Sequence, residues 1–426
     1  MLKQMKFKNI LIFLVICLAF LNNLFWTAVI PYNEAPDEYT HFQVAQFIAQ
    51  KNRFPVFGQD ENMGVSKYEK PGFRAFYNAS YSCMPPLAYL FQASAIKIIP
   101  GLKPDQTYLA ARLSSVFLGL VFSLIILKLA RLLFPKFSQQ LTFMIFTLFI
   151  PQATFIFSYV NSDALSLVLS SLLFYYVIFF LKGKNELNLA TSLVLGLILG
   201  LTALTRYNAF VLFPFVGLVF LGRVKREKKE LVGVGLTLLA SLLVSGWWYG
   251  RNLLIYGDLL AMKQFWQTYR MLYPPEDIGH QFYTLGYILF QTGWLGQTFR
   301  SFWASFGWNY ILLPENIYRL LALVCLWSIY GLFKEFKRER QFLAFSGLIF
   351  FASLSLSLWQ SLKFGFQAQG RYLFPALPAV SFILVFGLFN LSRKKWAQGL
   401  AFLLVNLGII FLNIFSLVAF LIPAYY

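Results

Sequence analysis

Apolar runs of roughly 18–25 residues recur along almost the whole chain, and no other feature constrains its fold so tightly. Each is long enough to cross a hydrocarbon core of about 30 Å. Charged residues make up 12% of the sequence against 58% hydrophobic ones, about half the charged fraction of a soluble domain. The pattern predicts an all-α polytopic membrane protein, a single transmembrane domain over 1–426. About 11 spans fit, at roughly 9–30, 108–133, 139–158, 163–181, 188–204, 209–222, 231–249, 317–333, 342–359, 373–391 and 397–421.

The net charge of +19 is distributed as topology. Basic clusters at Lys3, Lys6 and Lys8, at Lys128, Arg131 and Lys136, at Lys182 and Lys184, and within 223–229, 334–340 and 393–395 fall at alternate ends of the spans. That is the positive-inside pattern, and it puts the amino terminus in the cytoplasm and the carboxyl terminus outside. No nucleic-acid surface is needed to explain the charge. Cys17 and Cys325 lie within spans and Cys83 in the outer compartment, so no disulfide framework or metal-ligand pair follows. The first apolar segment lacks a convincing small-x-small cleavage site and reads as a retained helix.

Two long segments remain on the outer side, 31–107 and 250–316. With Asp163 between spans, they carry most of the 17 acids, among them Glu34, Asp37, Glu38, Asp60, Glu61, Glu69, Asp105, Asp258, Glu276, Asp277 and Glu315. Residues 36–51 are amphipathic at helical spacing, and 86–99 form an apolar helix too short to span; both are expected to lie on the bilayer face. Trp294, Trp303 and Trp308 give 280–312 the character of an interfacial surface.

PDEYTHF, residues 36–42, follows the first span directly. Charges at bilayer depth usually mark a site. Pro36 suits a first helical position, which sets Asp37 and Glu38 in the opening turn, where the helix dipole favours ionised carboxylates. Asp37 and His41 are spaced i,i+4 and share a face, while Glu38 points elsewhere. An ionised Asp there can act as a general base on a hydroxyl or bind a cation, and the plain alternative is an acidic pair that only starts a helix. In FQAQGRYLFPALPA, 366–379, Gly370 permits close backbone approach and Arg371 offers a planar fork suited to phosphate; a snorkelling arginine is the alternative. WWYGRNLLIYGD, 247–258, brings Arg251, Asn252 and Asp258 to the end of a span, and TRYN puts Arg206 at an outward turn. In YVNSDAL, 159–165, Asp163 is expected to cap the following helix. His41 and His280 make no metal site by themselves, and no Walker A, H-E-x-x-H or G-x-S-x-G motif occurs in the required context.

Together these features resemble the GT-C superfamily, polytopic glycosyltransferases that use lipid-phosphate-linked sugars. The succession of Asp37-Glu38 after the first span, Phe54-Pro55, MPPLAYLFQASAIK at 84–97 and Ala111-Arg112-Leu113 is similar to that of protein mannosyltransferases and aminoarabinose transferases. The spellings PDEYTHF, YVNSDAL, RNLLIYGD, SFWASFGW and QGRYLFPALP look closer to a bacterial membrane-protein branch of that superfamily. Ala35, where that branch often has a second proline, is a departure, as is a chain that ends with its membrane spans.

The resemblance implies a GT-C-like bundle with two interfacial helices in the first outer loop. It implies a polyprenyl-phosphate sugar donor, undecaprenyl or dolichyl, entering from the outer leaflet, and a glycan, lipid or protein acceptor. Carried onto matching positions, Asp37 is the base, Glu38 an auxiliary carboxylate, and Arg371, Arg251 and Arg206 face the donor phosphate. His41, Asn252, Asp163 and Tyr372 are further substrate-contact candidates. No cofactor is called for, and no second outer acid is poised for a metal. Direct attack at the anomeric carbon would invert its configuration. Competing readings are a sugar-lipid transporter or flippase, a non-catalytic envelope assembly protein, and a polysaccharide polymerase or ligase.

Overall fold

Long apolar helices dominate, as the hydropathy requires. The computed structural model describes residues 2–57, 59–60, 81–183, 186–228, 230–263, 284–364 and 366–426. Glu61, Glu69, Glu276, Asp277 and His280 lie outside these residues. Among the described residues, nine helices are long and apolar enough to cross a membrane. In chain order the helices are α1 (Leu2–Val29), α2 (Glu38–Lys51), α3 (Leu87–Ile98), α4 (Thr107–Leu133), α5 (Phe137–Leu148), α6 (Pro151–Ile156), α7 (Asp163–Leu181), α8 (Leu189–Ala203), α9 (Phe213–Arg226) and α10 (Glu230–Tyr256). After α11 (Leu285–Phe290) and α12 (Trp294–Trp303), strands β1 (Ser305–Phe306) and β2 (Ile311–Leu312) pair antiparallel. Helices α13 (Glu315–Glu335), α14 (Arg340–Phe364), α15 (Leu377–Phe389) and α16 (Lys395–Ser416) complete the bundle.

The two remaining expected spans take shorter forms. Span 188–204 is the 15-residue α8, packed along α10. Span 139–158 is broken into α5 and α6, because Pro151 has no N–H to continue the helical ladder. A carbonyl freed inside an apolar bundle needs a donor. Asn413 of α16 supplies one, its Nδ2 lying 3.1 Å from Phe149 O and 2.9 Å from Thr154 Oγ1. The break then redirects the chain through 157–162, a segment that the site uses.

Close helix contacts come from small residues. A Cβ on Gly331 of α13 would sit 2.1 Å from Gly387 O of α15, so both glycines are required for that crossing. At one end of the bundle the basic clusters meet one another across helices. Lys136 reaches Gln398 at 3.1 Å, Lys334 reaches Leu391 O at 3.0 Å, and Arg393 pairs with Glu335 at 2.8 Å.

In the first loop, α2 and α3 pack on each other and on α4, close to the expected helices at 36–51 and 86–99. The second loop corrects one expectation. Trp294 and Trp303 do not form an interfacial surface: both are fully buried, Trp294 donating from Nε1 to Ser361 Oγ at 2.9 Å and Trp303 stacking edge-on with Phe146. Trp308 alone of the three is exposed. The hairpin and α12 therefore form a packed cap.

Candidate active site

Asp37 and Glu38 start from the same turn but reach different partners. Asp37 is the cap residue before α2, in the left-handed region at φ 61°, and Glu38 is the first helical residue. The expected start at Pro36 is therefore corrected by two residues. Asp tolerates this conformation better than most residues because its short side chain carries polar atoms close to the backbone.

Glu38 is completely buried and forms a two-pronged ion pair with Arg112 of α4, with Nε to Oε1 and Nη2 to Oε2 both at 2.7 Å. The backbone amides of Asn33 and Val160 donate to the same carboxylate at 2.9 and 3.0 Å. Arg112 spends its remaining donors on the carbonyls of Thr27, Ile30 and Pro31. This knot ties the end of α1, the start of α2, the first turns of α4 and segment 157–162 together. Its hydrogen bonds fill the positions at which Glu38 would have met a substrate, which corrects the expectation that Glu38 orients donor or acceptor.

Asp37 instead faces Arg371, which enters from the short helical turn Gly370–Ala376 ahead of α15. Arg371 Nη2 lies 3.1 Å from Asp37 Oδ2, Nη1 lies 3.6 Å from Asp163 Oδ2 and 3.4 Å from Tyr159 OH, and Nε donates to Gln369 Oε1 at 2.6 Å. Asp163, the first residue of α7, also pairs with Arg206. Two carboxylates and two guanidiniums thus form one chain, Asp37–Arg371–Asp163–Arg206, drawn from four separate parts of the sequence. Arg371 is only 6% exposed, so the snorkelling alternative does not hold. Asp163 is not a cap by its side chain either. Asn161 takes that task, accepting from Ala164 N at 2.8 Å, which leaves Asp163 to the arginines.

Gly370 permits this arrangement. A Cβ there would lie 2.1 Å from Phe302 N, and Gly370 N donates to Ser301 Oγ at 2.7 Å. Tyr372 lies under both arginines, its ring centre 5.5 Å from the Arg206 guanidinium and 5.7 Å from that of Arg371. His41 is buried, with Nδ1 2.9 Å from Tyr89 OH and its ring edge-on to Tyr81. Burial pushes its pKa down to about 4 against the opposing pull of Asp37, so the imidazole is neutral at pH 7.

Arg251 and Asn252 have other tasks. Arg251 donates to Pro55 O at 2.8 Å and to Asn252 Oδ1 at 3.2 Å, and lies over the Trp248 ring. Asn252 in turn donates to Leu259 O. Their hydrogen bonds fasten the first outer loop to the end of α10 rather than joining the Asp37 chain.

Beside Arg371 is a narrow pocket of about 10 Å³, bounded by Pro36, Gln152, Tyr159, Asn309 and Gln369. Through Ser301, Asn309 and Gln369 it shares its wall with a larger cleft of about 250 Å³ under the hairpin. Sequence reasoning missed Tyr159, Gln369 and Tyr89, which carry no signal of their own. It named Arg112 only within a motif, although an arginine inside an apolar span requires a buried partner.

Fold and charge chain together define a multi-pass helical membrane protein with a buried network of acids and arginines in its bundle. Over 91% of its length the chain is similar to ArnT from Cupriavidus metallidurans in the apo state, with a TM-score of 0.52 and 14% identity, covering 61% of ArnT. ArnT from the same organism bound to undecaprenyl phosphate matches over 93% of the chain, with a TM-score of 0.50, 14% identity and 62% of ArnT covered. An Archaeoglobus fulgidus oligosaccharyltransferase tethered with an acceptor peptide matches over 95%, with a TM-score of 0.55 and 13% identity, covering 55% of that protein. The chain thus spans about three-fifths of ArnT and just over half of the oligosaccharyltransferase. At these identities the likeness establishes the fold. No curated protein sequence matches the chain. It belongs to the DUF2142 family of predicted membrane proteins, whose model matches residues 47–380.

Proposed function

We propose that this protein is an integral membrane glycosyltransferase that moves a sugar from a polyprenyl-phosphate donor to a hydroxyl-bearing envelope acceptor on the outer face. The observation that carries this reading is the Asp37–Arg371–Asp163–Arg206 chain, set beside a polar cleft in a GT-C fold. The structure of ArnT with undecaprenyl phosphate supports a lipid phosphate as the donor's carrier. Basic clusters gathered at one end of the bundle support placing that end in the cytoplasm.

The charges suit the chemistry. In the free protein the four groups sum to zero. Asp37 takes the proton of the acceptor hydroxyl, the hydroxyl oxygen attacks the anomeric carbon, and the carbon–oxygen bond to phosphate breaks. The donor phosphodiester, with one negative charge, leaves as a phosphate monoester with two. Protonation of Asp37 makes the cluster net positive as the second charge appears, so Arg371 and Arg206 stabilise the leaving group when it needs it. The narrow pocket holds about one water, so donor phosphate must displace Asp37 from Arg371 to bind. That exchange would release the base at the moment the substrate arrives.

Glu38 and Arg112 act in this scheme as positioning residues, and His41 supports the wall behind Asp37. Two arginines take the part a metal would otherwise play, and transfer is expected to proceed without a divalent cation. Among the described residues no group of three His, Cys, Asp or Glu side chains is placed to hold one.

The test is donor consumption by purified, reconstituted protein given radiolabelled polyprenyl-phosphate sugars and an envelope lipid extract. Wild type should consume a donor, and Asp37→Asn and Arg371→Lys, both monodisperse, should not. If no donor is consumed but labelled sugar-lipid crosses the bilayer of the vesicles, the flippase reading replaces this one.

A further inference from the structure

We propose that the cleft under the hairpin is a sugar-recognition subsite that admits a neutral or carboxylated sugar and excludes an aminosugar, an inference that rests on the glycosyl-transfer reading above. Its volume of about 250 Å³ lies below the ~300–1,000 Å³ of sites for drug-sized ligands and matches the scale of a single sugar ring. Gln297, Gln367 and Gln369 line it with amides, and Ser305 and Asn309 add a hydroxyl and a further amide. Amides and hydroxyls both donate and accept, which is what a ring of sugar hydroxyls requires of a partly desolvated wall. Gln369 also holds Arg371 Nε at 2.6 Å, so a phosphate on Arg371 would lie one residue from this wall.

The selectivity comes from charge. Among the described residues the only charged side chain in the lining is Arg300, and no carboxylate faces the cleft. An aminosugar would bring an ammonium into a half-open recess whose lining offers a guanidinium and no anion, a poorer setting for a cation than water. Arg300 is held at 3.2 Å by Glu315, whose side chain is 54% exposed and lies outside the lining. A sugar carboxylate within the cleft could take the place of that exposed partner and engage the planar guanidinium two-pronged. Neutral sugars bind through the amides alone.

The experiment measures affinity of the full-length protein in nanodiscs for undecaprenyl phosphate and for its glucosyl, glucuronosyl and aminoarabinosyl forms, with methyl glucoside and methyl glucuronide as lipid-free probes. Glucuronosyl should bind about tenfold more tightly than glucosyl, and the amino form more weakly than either. Arg300→Gln should erase the preference for the acid without changing affinity for the glucosyl form or the melting temperature. Glu315→Gln, which frees Arg300, should widen that preference. If the preference appears with the methyl glycosides alone, the subsite holds the acceptor's sugar rather than the donor's, and the chemical class stands. A flat response across the three sugars, or tightest binding of the amino form, overturns the assignment while leaving the glycosyl-transfer reading intact. Failure to bind even bare undecaprenyl phosphate removes that reading, and this one with it.

Discussion

Asp37 and Glu38 are neighbours in the chain, yet they end in opposite surroundings. Glu38 is sealed at zero exposure in a knot with Arg112 and two backbone amides, every contact between 2.7 and 3.0 Å. Asp37 meets Arg371 at 3.1 Å, and that arginine both lines the narrow pocket and is shared with Asp163 at 3.6 Å. One pair is saturated and holds segments together. The other is a shared contact whose members can exchange partners with an incoming anion. A single step along the backbone separates a charge saturated by structural partners from one whose partner is shared.

The sharpest way to break this contrast is to neutralise each acid in turn. Glu38→Gln leaves Arg112 buried with an uncompensated charge and should cost about 3–5 kcal/mol, read as loss of monodisperse protein or a collapsed melting temperature. Asp37→Asn keeps a side chain that also tolerates positive φ, so it should melt as wild type does while transfer falls about 10²–10⁴-fold. Equal thermal damage from both substitutions would erase the distinction drawn here.

Asp163 probes the shared arginines. Asp163→Asn removes one anion from between Arg371 and Arg206, so bare undecaprenyl phosphate should bind about tenfold more tightly, which isothermal titration would detect. Weaker binding would mean that Asp163 serves only to hold the arginines in place.

His41 gives a smaller, pH-dependent effect. Its folded pKa of about 4 lies below the ordinary histidine value, so the unfolded chain binds more protons between about pH 6.5 and 4. Stability from this group is therefore full above pH 6.5 and is lost as pH falls through that window. The melting temperature of wild type should drop by a few degrees more than that of His41→Gln over the same range. Smallest of all is the expected response to chelation: EDTA should leave transfer unchanged, and restoration of activity by magnesium or manganese after treatment would show that the arginines do not suffice.

Much of the architecture was legible along the chain. Lipid imposes apolar runs of fixed minimum length, and topology imposes alternating basic ends, so both can be read without partners. The short helices near 36–51 and 86–99 followed from the same logic. Within the site, PDEYTHF, Arg371, Arg206 and Asp163 stood out because charges near bilayer depth are costly. Their roles were less legible. Asp163 read as a helix cap because Asn161 was an equally good candidate for that task, and only the fold showed which residue took it. Trp294 and Trp303 read as interfacial because aromatic content does not reveal which face of a loop is covered.

The sequence by itself determined that this is a polytopic helical protein, and its pattern sets most of its acids and its basic clusters at opposite ends of the spans. Those properties depend on the transfer free energy of each segment, which is a local sum. Only the tertiary structure decided which charge meets which. Arg371 is separated from Asp37 by 334 positions and Arg112 from Glu38 by 74, and the two acids could have exchanged partners without altering any local pattern. What settles the choice is packing: Pro151 breaks a helix, Gly370 lets a loop approach, and the buried amide of Val160 reaches Glu38 while Asp37 is left to Arg371.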